Sequence, residues 1–508
     1  MDAPSQAARR VTASDHDIQF GYCGMGGLLT NMTGDRERSV ITGSYYGVLY
    51  YFRNMAEAGV ALRQRQPLLD PVGRVLRHPS PRAAPAVYPT SDHRGHHLLV
   101  GGEGALKFYR FFSHSMETGG VPVFEHPTTV GEIGANLYGG SHPAPAAADW
   151  DGDGRVDLIV GNAEGRVLLL RNVGTNADPK FLPGTPLTAN GVEIFVQPGY
   201  RALEGPAESR YGYACPTLVD WDGDGDMDMV MSDATARHTV YMNVGTSRRP
   251  KLAPPHPIFN DGLDLHGPWR VKPAVARIDG RMAYVTLDDS NDLHAYYRMD
   301  DYNVKDAGKV KLRTNKPISA HYLSGGATGR LHIHLADFDL DGVVDLLIAA
   351  PRHASVPEPE MGLPRSLGLP GGAVLFLRGK REAAGGLPTF KYPEVMHFDG
   401  APLYIGREDG ALAVVDLGPA KGPHLLVAEE GGHFVYYDRK RLSCDSVNKF
   451  ADSKLERSVA DQELQPLSYE EALASAPSHA PEDDHAPEAP LAVPIKVLGL
   501  SMDICPSG

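Results

Sequence analysis

The chain has 508 residues, with 56 glycines, 41 prolines and a formal net charge of −14. That acidic balance, with no basic cluster, excludes a general nucleic-acid binder, and no segment approaches the roughly 18 apolar residues that span a bilayer. Abundant glycine and proline with little helical periodicity point to many short strands joined by turns.

In chain order, residues 1–17 read as an N-terminal leader, "MDAPSQAARRVTASDHD", without the apolar core of a secretory signal. The protein is therefore intracellular, or secreted through a leader that precedes this numbering. Strand pairs follow at Arg38–Asn54 ("RSVITGSYYGVLYYFRN") and His96–Phe112 ("HHLLVGGEGALKFYRFF"). The pattern recurs after Asp149, Asp220, Arg281, Asp337 and His424, each time as an apolar strand, a turn and an alternating strand. Units anchored near residues 35, 92, 149, 220, 279, 337 and 416 occupy most of the chain. Radial repetition of small antiparallel sheets buries both faces of each one. The expected fold is all-β: a seven-bladed β-propeller over 18–445. Residues 446–508 form an acidic, Pro/Ala-rich flexible tail, with a strand near 491–500 that returns to the propeller. Cys23, Cys215, Cys444 and Cys505 lack metal-ligand spacing, and both buried thiols and disulfides fit them. Asn31-Met32-Thr33 fits a glycosylation sequon.

Three segments carry the spacing D-x-D-x-D-G-x-x-D: "DWDGDGRVD", "DWDGDGDMD" and "DFDLDGVVD". Carboxylates at alternate positions, a glycine for the tight turn and a fourth carboxylate would surround one hard cation, Ca²⁺, with oxygens. The expected ligands are Asp149, Asp151, Asp153 and Asp157, then Asp220, Asp222, Asp224 and Asp228, then Asp337, Asp339, Asp341 and Asp345. The carbonyls of Arg155, Asp226 and Val343 would add one ligand each. The pattern starts like an EF-hand but runs into a strand, so the ion would pin a turn between two strands.

These loops resemble the VCBS/FG-GAP repeats of integrin-type propellers and secreted microbial proteins. More narrowly, the unit from Gly139 to Phe181 resembles seven-bladed propeller polysaccharide lyases such as the rhamnose–glucuronate lyases.

In a propeller, the segments entering each first strand share a face with the turns between second and third strands. That face would gather His142, Arg210, Tyr211, Tyr213, His266, Trp269, Arg270, His321 and Tyr322 from the entries. The turns would add Tyr45, Tyr46, Glu164, Arg237, His238, Arg352, His353, Glu429, Glu430 and His433. Arginine can neutralise a uronate carboxylate while a neutral histidine or tyrosine takes the C5 proton. The candidate catalytic residues are His142, Tyr211, Arg210, Arg352 and His353, and the family resemblance also places a functional histidine near His142. The alternating His332 and His334 read as structural strand residues. Two functions follow: a lyase cleaving a uronate-containing glycan by β-elimination, or a non-catalytic, integrin-like propeller that binds a protein or glycan partner.

Overall fold

The computed structural model describes residues 12–13, 16–17, 27–30, 32, 39–44, 47–56, 61–63, 65–79, 83–89, 95–102, 106–115, 120–130, 137–196, 211–320, 330–351, 372–383, 385–403, 405, 410–418, 421–444, 447–450, 456–457 and 493–494. The chain divides into two compact units, Met1–Glu132 with Glu204–Arg210, and Ile133–Leu203 with Tyr211–Gly508. Both are built of strands, and the one helical turn among the described residues is Arg439–Arg441. Among the described residues no helix is long and apolar enough to cross a membrane.

The first unit holds two four-stranded antiparallel sheets. One is ordered Gly27–Thr30, Ser39–Thr42, Tyr50–Phe52, Gln66–Pro67, and the other Ala84–Tyr88, His97–Gly101, Lys107–Tyr109, Thr128–Thr129. A shared core of Ile41, Tyr51, Leu68, Leu98, Tyr109 and Phe124 joins them. Within it the His78 Nδ1 and the Tyr109 hydroxyl lie 3.0 Å apart, and burial pushes the imidazole down to about 3.

The second unit repeats the same plan five times. The first strands are Ala144–Ala148, Cys215–Val219, Ala274–Ile278, His332–Ala336 and Gly410–Val415. Each pairs antiparallel with a second strand: Asp157–Gly161, Asp228–Ser232, Arg281–Leu287, Asp345–Ala350 and His424–Glu429. Third strands follow at Val167–Leu170, His238–Tyr241, Leu293–Arg298, Ala373–Leu377 and Phe434–Tyr437. A fourth strand follows in each sheet, the third sheet extending to six strands through Phe259–Asn260 and Leu263–Asp264, and in the last sheet the fourth strand is Val493–Pro494 pairing with Val435 and Tyr436.

The second strands explain why these sheets need one another. "DLIVG", "DMVMS" and "DLLIAA" are buried along their whole length, so successive side chains enter apolar layers on opposite faces. Leu158 and Val160 pack with Ala411, Leu426 and Phe434, whereas Ile159 packs with Met229 and Met231. Val230 joins Tyr284 and Met282. Leu346 and Ile348 face Val285 and Leu293, and Leu347 faces Leu412 and Val427. Each layer lies between consecutive sheets, and the last lies between the fifth sheet and the first.

The order of neighbours therefore closes after five sheets in a propeller-like arrangement. The first strand of the first sheet lies beside those of both the second and the fifth. This corrects the expectation of seven blades in one ring. The repeat near residues 35 and 92 supplies sheets, but they belong to the first unit, and the first unit's two sheets share their own core. Most of the expected tail, 446–508, and much of the expected leader lie outside the described residues.

Phe434 is buried in the layer that joins the fifth sheet to the first. A Cβ at Gly139 would come within 2.7 Å of its ring, so that glycine makes room for it. Phe434→Ala is expected to destabilise the protein by about 3–5 kcal/mol, the usual cost of an emptied aromatic site. Urea unfolding measures this, and a loss below about 1 kcal/mol would mean that the closing layer contributes little.

Candidate functional site

Each of the three aspartate loops follows a first strand and leads into a second. In the first, ligand oxygens of Asp149, Asp151 and Asp153 all lie within 4.8 Å of one another. In the second the group is Asp220, Asp222 and Asp228, and in the third Asp337, Asp339 and Asp345. The aspartates at the first and third positions of each motif thus meet in every loop. The third partner is the fifth position in the first loop and the ninth in the others.

Local hydrogen bonds set this geometry. Asp149 accepts from the Asp153 and Gly154 amides at 3.0 and 2.9 Å. The Arg155, Asp226 and Val343 amides donate to Asp153, Asp224 and Asp341 at 2.9, 2.8 and 2.9 Å. The ninth-position carboxylate ties the loop to the third strand. Asp157 accepts from the Asn172 amide at 2.7 Å, Asp228 from Asn243 at 2.6 Å and Asp345 from Gly379 at 2.9 Å. Burial pushes Asp157 and Asp228 up to about 6, and burial together with the Asp339 carboxylate raises Asp345.

The buried oxygens Asp157 Oδ2, Asp151 Oδ1 and Asp337 Oδ1 have no hydrogen-bond donor among the described residues. An uncompensated buried carboxylate is costly, so the donor set fits a hard divalent cation. The loops differ in what the chain itself supplies. Arg378 places Nε 2.7 Å from Asp339 and Nη2 3.2 Å from Asp341, and Arg171 and Arg155 pair with Asp151 and Asp153. Met242 stands in the second loop where Arg171 and Arg378 stand in the others. Among the described residues no cation pairs with Asp220, Asp222, Asp224 or Asp228. The chain itself therefore compensates the second loop's carboxylates least among the described residues.

The opposite end of the sheets carries a different chemistry. Five-residue first strands, at about 3.3 Å per residue, hold the two ends roughly 15 Å apart. A belt of backbone hydrogen bonds joins entries and turns around this end. The His142 amide donates to the Glu430 carbonyl at 2.9 Å, Ala163 to Ser141 at 2.8 Å and Gly212 to Ala163 at 3.0 Å. Ala234 donates to Gly212 at 2.8 Å, Gly267 to Ala236 at 3.1 Å and Ala320 to Asn291 at 2.7 Å.

Four entries share a feature that the residue types do not announce. "HPAP", "YACP", "RVKP" and "RLHI" align, and the leading residues His142, Tyr213, Arg270 and Arg330 have φ of 47°, 42°, 60° and 60°. Left-handed backbone at non-glycine residues costs energy and concentrates at functional sites. All four side chains join one cluster. The His142 and Tyr213 rings are 6.1 Å apart, and Tyr213 meets Trp269 edge-on at 5.3 Å. The Arg270 guanidinium lies 4.2 Å from the Tyr213 ring and 5.3 Å from Trp269, and Arg330 lies 5.8 Å from Trp269. Trp269 Nε1 and Arg330 Nε are buried with no acceptor among the described residues.

His142 is half-buried, with Nδ1 3.2 Å from the Ser141 hydroxyl. Tyr211 is buried in the wall formed by Ala163, Tyr213, Ala234 and Trp269. Arg210, Arg352 and His353 lie outside the described residues, as do Tyr45, Tyr46, His321 and Tyr322. His238 is a core residue: its Nδ1 is 2.6 Å from the Tyr284 hydroxyl, and burial pushes it down to about 3. Glu164 pairs with Arg166 at 3.4 Å. Burial raises the Glu429 carboxyl, and His433 partly offsets it. The sequence reading missed Arg330, which the alignment of the four entries reveals.

A pH dependence follows from the loops. Without a cation, Asp157 and Asp228 hold protons up to about pH 6, against an ordinary value of 3.8 for aspartate. Their contribution to stability is complete below pH 3.8 and is lost as pH rises through about 6. In chelator, Asp157→Asn, which keeps an oxygen for the Asn172 amide, should therefore raise the melting temperature at pH 7 relative to the parent. A lower melting temperature for this variant at that pH would show that the ionised carboxylate stabilises the empty loop.

Residues 149–231, spanning the first two aspartate loops, match the model of the FG-GAP-like repeat. No curated protein matches the chain. Among solved structures, the lectin BP39L from Burkholderia pseudomallei is 14% identical, covering 81% of this chain and 94% of that one, at a TM-score of 0.32. An Agrocybe aegerita lectin recognising non-reducing terminal N-acetylglucosamine is 14% identical over 72% and 79% of the two chains, at a TM-score of 0.27. A GH43_1 enzyme from Xanthomonas citri is 13% identical over 73% and 90%, at 0.23. Scores this low fix neither a fold nor a ligand. The stretch from Asp149 to Met231 carries an FG-GAP-like repeat.

Proposed function

We propose that the second unit is a calcium-braced propeller that binds a uronate-containing glycan on its entry face and cleaves it by β-elimination. The observation that carries this reading is the convergence of His142, Tyr213, Arg270 and Arg330, each in left-handed backbone, on one cluster with Trp269. Two guanidiniums gather beside the Trp269 indole, and among the described residues Trp269 Nε1 and Arg330 Nε have no acceptor. Such a surface suits an anionic, oxygen-rich ligand.

In the reaction, Arg270 and Arg330 pair with the uronate carboxylate and stabilise the negative charge that develops when the neighbouring C–H bond breaks. His142 takes the C5 proton. The electron pair of that bond forms the C4–C5 double bond, and the C4–O bond breaks with protonation of the leaving oxygen. The products are an unsaturated uronate and a shortened chain.

Calcium suits the three aspartate loops by ligand type and spacing. There it neutralises carboxylates and fixes the turns, away from the entry face. Its part is structural.

A panel of uronate polysaccharides, read by the ultraviolet absorbance of the unsaturated product, tests the proposal. His142→Ala is expected to lower turnover by roughly 10²–10⁴-fold with glycan binding retained, and Arg330→Gln to weaken binding. Binding to a glycan with no unsaturated product would leave a non-catalytic binding face. Full turnover in His142→Ala would remove this residue from the mechanism.

A further inference from the structure

Strand register in the third sheet lines up basic residues toward the second aspartate loop. Arg277 is opposite Met282 across the first two strands of that sheet. Ala283 is opposite Tyr297 across the next two, which sets Met282 beside Arg298. Residues directly opposite share a face, so Arg277, Met282 and Arg298 form one row. Met282 packs with Trp221 and Val230 of the second sheet, so the row faces that sheet. Row and loop bound a cavity of about 460 Å³ between the two sheets. Asp220, Asp222 and Gly223 line it from the loop, and Arg277, Arg281 and Arg298 line it from the third sheet. Trp221 and Met282 lie buried between them, whereas Gly223, Arg277 and Arg281 are exposed, so the cavity opens to solvent.

The three guanidiniums are held in place mostly by uncharged groups. Arg298 Nη2 donates to Asp301 at 2.7 Å, and its guanidinium lies 5.9 Å from the Trp221 ring. Trp221 Nε1 donates to the Asp301 carbonyl at 2.8 Å, which ties loop, indole and arginine together. Arg281 lies over the Tyr297 ring at 3.9 Å. Arg277 donates to the Gly280 carbonyl at 3.4 Å. The acid of that same turn, Asp279, is engaged with the Gly386 amide at 2.7 Å. The first loop offers a contrast. Its cavity is lined by Asp151, Asp153, Arg171 and Arg248, and there Arg171 pairs directly with Asp151. At the second loop, carboxylates and guanidiniums stand on opposite walls instead. A divalent cation, which the loop's donor set fits, would neutralise one wall and leave the other positive.

We propose that this cavity binds a phosphate monoester on Arg277, Arg281 and Arg298 when the second loop carries its cation. A phosphate monoester brings close to two negative charges at pH 7 and three acceptor oxygens. Guanidiniums meet such oxygens with paired N–H donors. A carboxylate, with one charge and two oxygens, matches three guanidiniums less well. Without the cation, Asp220 and Asp222 repel the phosphate across the cavity. Cation and phosphate therefore strengthen each other's binding. The site lies at the opposite end of the sheets from His142 and stands whether or not the entry face cleaves a glycan.

Titration calorimetry of the full chain in saturating calcium tests this, with inorganic phosphate and glucose 6-phosphate as probes and glucose as control. Both phosphates should bind and glucose should not. Arg277→Gln, at an exposed position, should weaken both by about 10–100-fold, the usual cost of a lost charge-assisted hydrogen bond. Arg281→Gln is the second variant, should the first fail to fold. Arg330→Gln should leave the affinity unchanged, which separates this site from the entry cluster. Chelation should weaken both phosphates by about fivefold or more, measured where circular dichroism shows the chain still folded. Tighter binding of glucose 6-phosphate than of inorganic phosphate marks a sugar-phosphate site, and equal affinities mark one that reads the phosphate group alone. No binding of either phosphate in calcium, or the parent's affinity in both Arg277→Gln and Arg281→Gln, overturns the proposal. An affinity that chelation leaves unchanged overturns its dependence on the cation.

Discussion

The rest of the second unit depends on one constraint: its second strands are apolar on both faces. A strand such as "DLLIAA" gives alternate side chains to two different layers, so no sheet here can satisfy its apolar surface against a single neighbour. Each sheet must be flanked, and the first and last can be flanked only by meeting. Ring closure follows from this alternation. It draws the five first strands together, with the entry segments at one end and the aspartate loops at the other.

The two ends then face opposite electrostatic problems. At the loop end, carboxylates are crowded and partly buried, and the chain relieves them unevenly, with arginines at the first and third loops and Met242 at the second. At the entry end, guanidiniums lie over aromatic rings, and Trp269 Nε1 and Arg330 Nε are buried without an acceptor among the described residues. Cation–π contacts stabilise such arginines by about 0.5–2 kcal/mol, which holds them in place without neutralising them. A surface of this kind is preorganised for an anion, because the energetic cost of holding the cations is met in folding rather than in binding.

The sequence made some of this legible and hid the rest for physical reasons. The aspartate loops were readable because their geometry is local: carboxylates at alternate positions and a turn glycine suffice to bring three of them within 4.8 Å. The second strands were readable as unbroken apolar runs. The closure at five sheets was not, since a repeat period counts sheets without stating which ones meet. That choice rests on Leu158 and Val160 fitting against Ala411 and Leu426, a contact between distant parts of the chain. The left-handed backbone of His142, Tyr213, Arg270 and Arg330 was hidden because glycine, asparagine and aspartate are the usual signals for it. Arg330 needed the entries aligned against one another: it precedes Asp337 by the same interval at which His142 and Tyr213 precede Asp149 and Asp220. His238 was misplaced on the face because its neighbour Arg237 occupies the turn, whereas His238 itself begins a strand and turns inward to Tyr284.

The central claim is that ring closure assembles an anion-binding face at the end opposite the aspartate loops. A crystal structure of the protein with a bound oligouronate tests it most directly. The account predicts a uronate carboxylate on Arg270 and Arg330, and cations, where present, at the aspartate loops. An oligouronate bound at the aspartate end through bridging cations, with the arginine cluster unoccupied, would contradict it.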